Sequence, residues 1–177
     1  MAIATKKSIW ILFGILIIAA WLLGSVTQAG AQTYTVKCRN TMHLVKAHQI
    51  EVGDVTGHMI GVGDVAGVLS CDDGSIATTS NKPVSDYTRG SGNSYSYELD
   101  TYEDGSTTWV KTQYTSTTDP DGKTGRMEGT FQYIKGTGRF EGIRGGGTFI
   151  GKRLAPLPGV GVQYVVDLTA TYTLPSK

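Results

Sequence analysis

The sequence predicts an all-β protein, an antiparallel barrel of about eight strands preceded by an N-terminal signal peptide. Three observations carry that reading. From Val162 to Leu174 the even positions (Val162, Tyr164, Val166, Leu168, Ala170, Tyr172, Leu174) are apolar. The odd positions are polar except Val165, a period of two that marks a long strand with one buried face. Turn signals such as Asp104-Gly105 recur between other alternating runs. Beyond the N-terminal segment, no long stretch repeats apolar residues at the spacing of a helix.

The elements follow in chain order. Lys6 and Lys7 precede an almost wholly apolar run, Ile9 to Leu23, and Ala29-Gly30-Ala31 then offers a small-x-small cleavage site. Positive start, apolar middle and small-residue end are the parts of a secretory signal, here residues 1–31. The rival is an uncleaved membrane anchor, but the apolar run falls short of the roughly 20 residues that span a bilayer. No cysteine follows the site to carry a lipid. The expectation is therefore export to the periplasm or beyond the cell, with no stable membrane insertion after cleavage.

Residues 32–177 then form one domain of 146 residues, with fourteen basic and fifteen acidic side chains and a net charge of −1. No basic run survives in it, which excludes nucleic acid as an expected partner. Cys38 and Cys71 both lie in this part, and in an oxidising compartment such a pair is expected to form a disulfide. No cysteine–histidine signature surrounds either one.

Strands are expected at Tyr34–Lys37, Met42–Glu51, Val65–Ser70 and Ser75–Thr79, the last two joined by Asp72-Asp73-Gly74. Tyr95–Glu103 and Thr107–Thr117 flank Asp104-Gly105 as a hairpin. Asp119-Pro120-Asp121-Gly122 turns the chain into a strand over Arg126–Ile134. Ser80–Asn93 and Ala155–Gly161 read as irregular.

The stretch GTGRFEGIRGGGTF, residues 136 to 149, holds six glycines and two arginines. It is not a phosphate loop. Gly146 to Arg153 matches the P-loop spacing up to Lys152, but Arg153 stands where a hydroxyl residue must hold magnesium. Gly122-Lys123-Thr124 lacks the earlier glycine, and Gly136-x-Gly138-x-x-x-Gly142 misses the dinucleotide spacing by one. No nucleotide or other cofactor is expected. Gly136, Gly138, Gly142 and Gly145 read instead as turn glycines, with Phe140 and Ile143 pinning a short helical turn onto a core.

This stretch and the alternating VQYVVDLTATYTL that follows resemble the allene oxide cyclase-like barrel superfamily, which includes plant allene oxide cyclases and dirigent proteins. The match falls on Gly136, Gly138, Phe140, Gly142 and Gly145 and covers about forty residues. The exported chain is most similar to uncharacterised bacterial secreted members. The resemblance implies an eight-stranded antiparallel barrel. It implies no catalytic residues, because the cyclase's find no matching positions here.

The remaining candidates for chemistry are few. His43, His48 and His58 with Asp54 and Asp64 could be imagined as a metal site. His43 and His48 stand five apart and would face opposite ways in a strand, so no metal is expected. Glu98, Asp100, Glu103 and Asp104 crowd the central hairpin, and Glu98 and Asp100 share a face as a glycosidase pair would. Hairpin carboxylates are expected to be solvated, so this chemistry is not expected either. Tyr133, Tyr164 and Tyr172 lie on apolar faces, as core or as contacts for a ligand inside a barrel. The leading expectation is an exported barrel that binds a small apolar molecule without catalysis. Its alternatives are a cyclase- or isomerase-type enzyme and a homo-oligomerising module.

Overall fold

The computed structural model of the chain describes residues 31–176. The signal reading covers residues 1–31, of which 1–30 lie outside the described residues. No helix among the described residues is long and apolar enough to cross a membrane.

Eight antiparallel strands close into a barrel in sequence order: β1 Gln32–Glu51, β2 His58–Cys71, β3 Ile76–Thr88, β4 Ser91–Tyr102, β5 Thr107–Thr118, β6 Gly125–Thr137, β7 Arg144–Leu157 and β8 Gly161–Leu174. The first and last strands join along a twelve-residue register from Gln32↔Leu174 to His43↔Gln163. Turn chemistry sets the reversals. Gly105, at φ 77, donates its amide to the Tyr102 carbonyl while Asp104 accepts from the Ser106 amide. Asp121 accepts from the amides of Lys123 and Thr124 in the next hairpin.

Four expectations change. The gap between Lys37 and Met42 closes, because β1 runs unbroken with Asn40 turned into the barrel. Ser80–Asn93 is not irregular: β3 continues to Thr88 and turns tightly through Arg89 and Gly90, both at positive φ, into β4. β7 likewise reaches Leu157 before its turn. A bulge between Leu44 and Lys46 also flips the alternation of β1. Met42 and Leu44 face inward before the bulge, and Ala47 and Gln49 after it. His43 and His48 therefore share the outer face instead of opposing each other.

The interior has two apolar regions. The larger surrounds Phe131, Phe140, Tyr102 and Tyr172 near the β4–β5 turn, and the smaller holds Met42, Val65 and Val166. Cys38 and Cys71 are directly paired across β1 and β2 and form a disulfide beside the larger region.

The glycine-rich stretch stoppers that end of the barrel. Gly136 does not turn the chain; it lies within β6 opposite Thr108. A Cβ there would run into the Phe140 carbonyl oxygen, so glycine lets the following turn fold back over the strand. Gly138 then takes φ 62 and opens the 3₁₀ turn Gly138–Phe140. Gly142 and Gly145 also adopt positive φ. The turn drives Phe140 inward, with its ring 4.7 Å from Tyr102 and 6.3 Å from Tyr172. Arg139 stacks on the Tyr102 and Phe140 rings at 4.8 Å and reaches Asp104 at 3.2 Å.

Candidate functional site

Inside the barrel lies a cavity of about 210 Å³. Its walls differ in character. β1, β2, β6 and β8 contribute apolar side chains such as Val36, Leu69, Phe131, Val166 and Leu168. β3, β4 and β5 contribute Asn81, Ser96, Glu98, Asp100 and Thr112. Phe140, Tyr102 and Tyr172 line the closed end, whereas Arg126, Arg153 and Tyr164 come from the opposite end of the strands.

The polar wall arises because β4 is turned inside out. Its more apolar face, with Tyr95 43% and Tyr97 41% exposed, looks outward. Its polar face, from Ser94 to Asp100, looks into the lumen. Glu98 is 8% and Asp100 3% exposed. The solvated carboxylates expected at these two positions are thus buried. Glu103 and Asp104 do lie near the surface, with Asp104 held by Arg139 and Ser106.

Each buried carboxyl has neutral partners. Asn81 Nδ2 donates to Glu98 Oε2 at 2.6 Å and Asn40 Nδ2 to Glu98 Oε1 at 3.4 Å. The Thr79 hydroxyl donates to Asp100 at 2.8 Å and Thr108 at 3.2 Å. Ser96 and Thr112 share a hydrogen bond of 2.6 Å on the same wall. Burial, followed by the Asp100 charge, pushes the Glu98 carboxyl well above its ordinary range, against the opposing bonds from Asn81 and Asn40. Burial also raises Asp100, opposed by its threonine donors. Glu98 is the stronger holder of a proton, so the cavity can place a carboxylic acid beside a carboxylate.

This arrangement fixes a pH dependence. The unfolded chain releases the Glu98 proton in the ordinary carboxylate range, while the folded chain keeps it to higher pH. Stability is then greatest below that range and falls as pH rises through it toward and past neutrality. Thermal unfolding across that interval should show a loss of at least about 1.4 kcal/mol, the equivalent of one unit of pKa. Glu98→Gln should flatten the slope; an unchanged slope in this variant would assign it to other groups.

The tyrosines expected on apolar faces all line the cavity. Tyr133 and Tyr172 pack edge to face at 5.7 Å, and Tyr164 joins the smaller apolar region. Burial holds the Tyr133 and Tyr164 phenols protonated above their usual range. His58 is placed elsewhere: its Nδ1 lies 2.6 Å from Asp54 and its Nε2 2.7 Å from Asp86. The hydrogen bonds to Asp86 and then Asp54 raise its pKa. His58 thereby ties the β1–β2 turn to β3. Asp64 instead receives Lys82 at 2.8 Å. No cluster of three or more metal-ligating His, Cys, Asp or Glu residues occurs among the described residues.

No protein-family model and no curated protein matches the chain. Among solved structures it is similar to two pterocarpan synthase dirigent proteins. One matches at 14% identity and a TM-score of 0.47, covering 84% of this chain and 94% of the other. The second matches at 13% identity and 0.43, covering 81% and 95%. A conserved protein of unknown function from Rhodopseudomonas palustris matches at 10% identity and 0.47, covering 80% and 98%.

Proposed function

We propose that the protein is an exported barrel that holds one small, largely apolar molecule in its lumen. The observation that carries this is the cavity itself: about 210 Å³, stoppered at one end by Phe140, with one polar wall among apolar ones. Small-molecule sites have this composition, mostly apolar surface with a few fixed polar groups that set orientation. At about one water-sized atom per 10–15 Å³, the space suits on the order of fifteen non-hydrogen atoms. The N-terminal order of charge, apolar run and Ala-x-Ala, together with the disulfide, supports export.

A second reading draws on one specific feature. Glu98 retaining a proton beside Asp100 offers a donor and an acceptor in one lumen, the equipment of an acid–base isomerase.

Native mass spectrometry of protein purified gently from the exported fraction of its host tests the first reading. The expected spectrum shows a reproducible adduct, at most one per subunit, on a chain beginning at Gln32. Bare subunits under the softest conditions would overturn it. For the second reading, the released molecule is returned to fresh protein. Conversion to an isomer by the wild type but not by Glu98→Gln would support catalysis, and no conversion would remove it.

A further inference from the structure

We infer that the lumen recognises a primary ammonium group, so that its ligand is a small monoamine with an apolar body. The inference rests on the lumen-binding reading above and names the chemistry of the bound molecule.

The polar wall has acceptors in excess. Asn40, 1% exposed, spends its amide nitrogen on Thr79 and Glu98, and Asn81 spends its own on Glu98. The Oδ1 atoms of both residues are buried without a hydrogen-bond partner in the protein. An unmet buried acceptor is costly, and two on residues that line one cavity beside two carboxyls are matched by a ligand that donates. Charge points the same way. The ion pairs among the described residues are Arg39–Asp167, His58 with Asp54 and Asp86, Lys82–Asp64 and Arg139–Asp104. None includes Glu98 or Asp100. A buried carboxylate with no counter-ion is a costly arrangement that a cationic ligand relieves. Primary ammonium supplies three N–H donors and one positive charge from a single compact atom. A carboxylate or phosphate ligand would add repulsion to unmet acceptors.

The rest of the cavity describes the rest of the ligand. Phe131, Phe149, Val166 and Leu168 offer apolar contact to a hydrocarbon or aryl body. Arg153 lines the far end and disfavours a second cation there, which selects a monoamine over a diamine.

The test is isothermal titration near neutral pH of the disulfide-bonded protein with three probes of matched shape: 4-phenylbutylamine, 4-phenylbutan-1-ol and 4-phenylbutanoate. The amine is expected to bind about tenfold or more tighter than the alcohol, the scale of a charge-assisted hydrogen bond, and the carboxylate weakest. In the double variant Glu98→Gln, Asp100→Asn the amine should lose that advantage while the alcohol still binds, which also reports that the lumen remains folded. Alcohol binding as tight as amine binding, or an advantage that survives the double variant, would overturn the ammonium inference and leave the lumen reading standing. No binding by any of the three would overturn both.

Discussion

Phe140→Ala should cost about 3–5 kcal/mol of stability, the range for emptying a buried aromatic site. Phe140 is 7% exposed and meets Tyr102 and Tyr172 on its inner side. Arg139 covers the same ring from the segment that carries it. Removing the Phe140 ring leaves a cavity beside Tyr102 and Tyr172, and Tyr102 and Arg139 lose the ring they share. Chemical denaturation should read the loss directly, with Phe140→Leu falling between the variant and the wild type. A cost under about 1 kcal/mol, the scale of an ordinary surface change, would mean that Phe140 is not the stopper. The glycine-rich stretch would then have some purpose other than seating it.

Removing the disulfide should have an effect of similar size. Cys38 and Cys71 are 33 residues apart in sequence and lie side by side on β1 and β2. Releasing that loop in the unfolded chain costs about 3–4 kcal/mol in the chain-entropy account. The double variant Cys38→Ala, Cys71→Ala should lower the denaturation midpoint accordingly, and reduction of the wild type should reproduce the shift. Neighbouring bonds hold the same corner: the Lys37 amide donates to the Asp72 carboxylate, and the Asp72 amide to the Lys37 carbonyl. If these alone fix the corner in the unfolded ensemble as well, the two measurements will show little change and the entropic account fails for this bridge.

Parts of this molecule whose interior is apolar were legible in the sequence. β8 shows its alternation plainly because Val166, Ala170 and Tyr172 are the buried set. The β4–β5 reversal announces itself through Asp104-Gly105, since turn geometry is a local property of the chain. The part of β3 beyond Thr79 and the first residues of β4 were not legible, for a physical reason: their lumen-facing residues include Asn81 and Ser94. Alternation of hydrophobicity reports a strand only when the buried face is the apolar one. In β4 the pattern is reversed, so Glu98 and Asp100 read as solvent-facing although they face the lumen. That reversal was itself the available signal, because a strand with tyrosines on one face and carboxyls on the other invites both orientations. The bulge at Val45 has no such signature, and the shared outer face of His43 and His48 follows from it alone.

The order of the strands also governs how the chain can assemble. Every pairing but one joins strands consecutive in sequence, so seven of the eight seams form between near neighbours as hairpins. The eighth, β1 against β8, brings together segments more than a hundred residues apart, as in Arg39 and Asp167. Loop-closure entropy grows slowly with length, but it must be overcome before any contact along that seam rewards it. A sheet of hairpins can therefore grow from any turn, whereas zippering of the last seam waits for the whole sheet to curl. Until it does, β1 and β8 are open edges with unpaired backbone groups, the form of the chain most exposed to pairing with another copy.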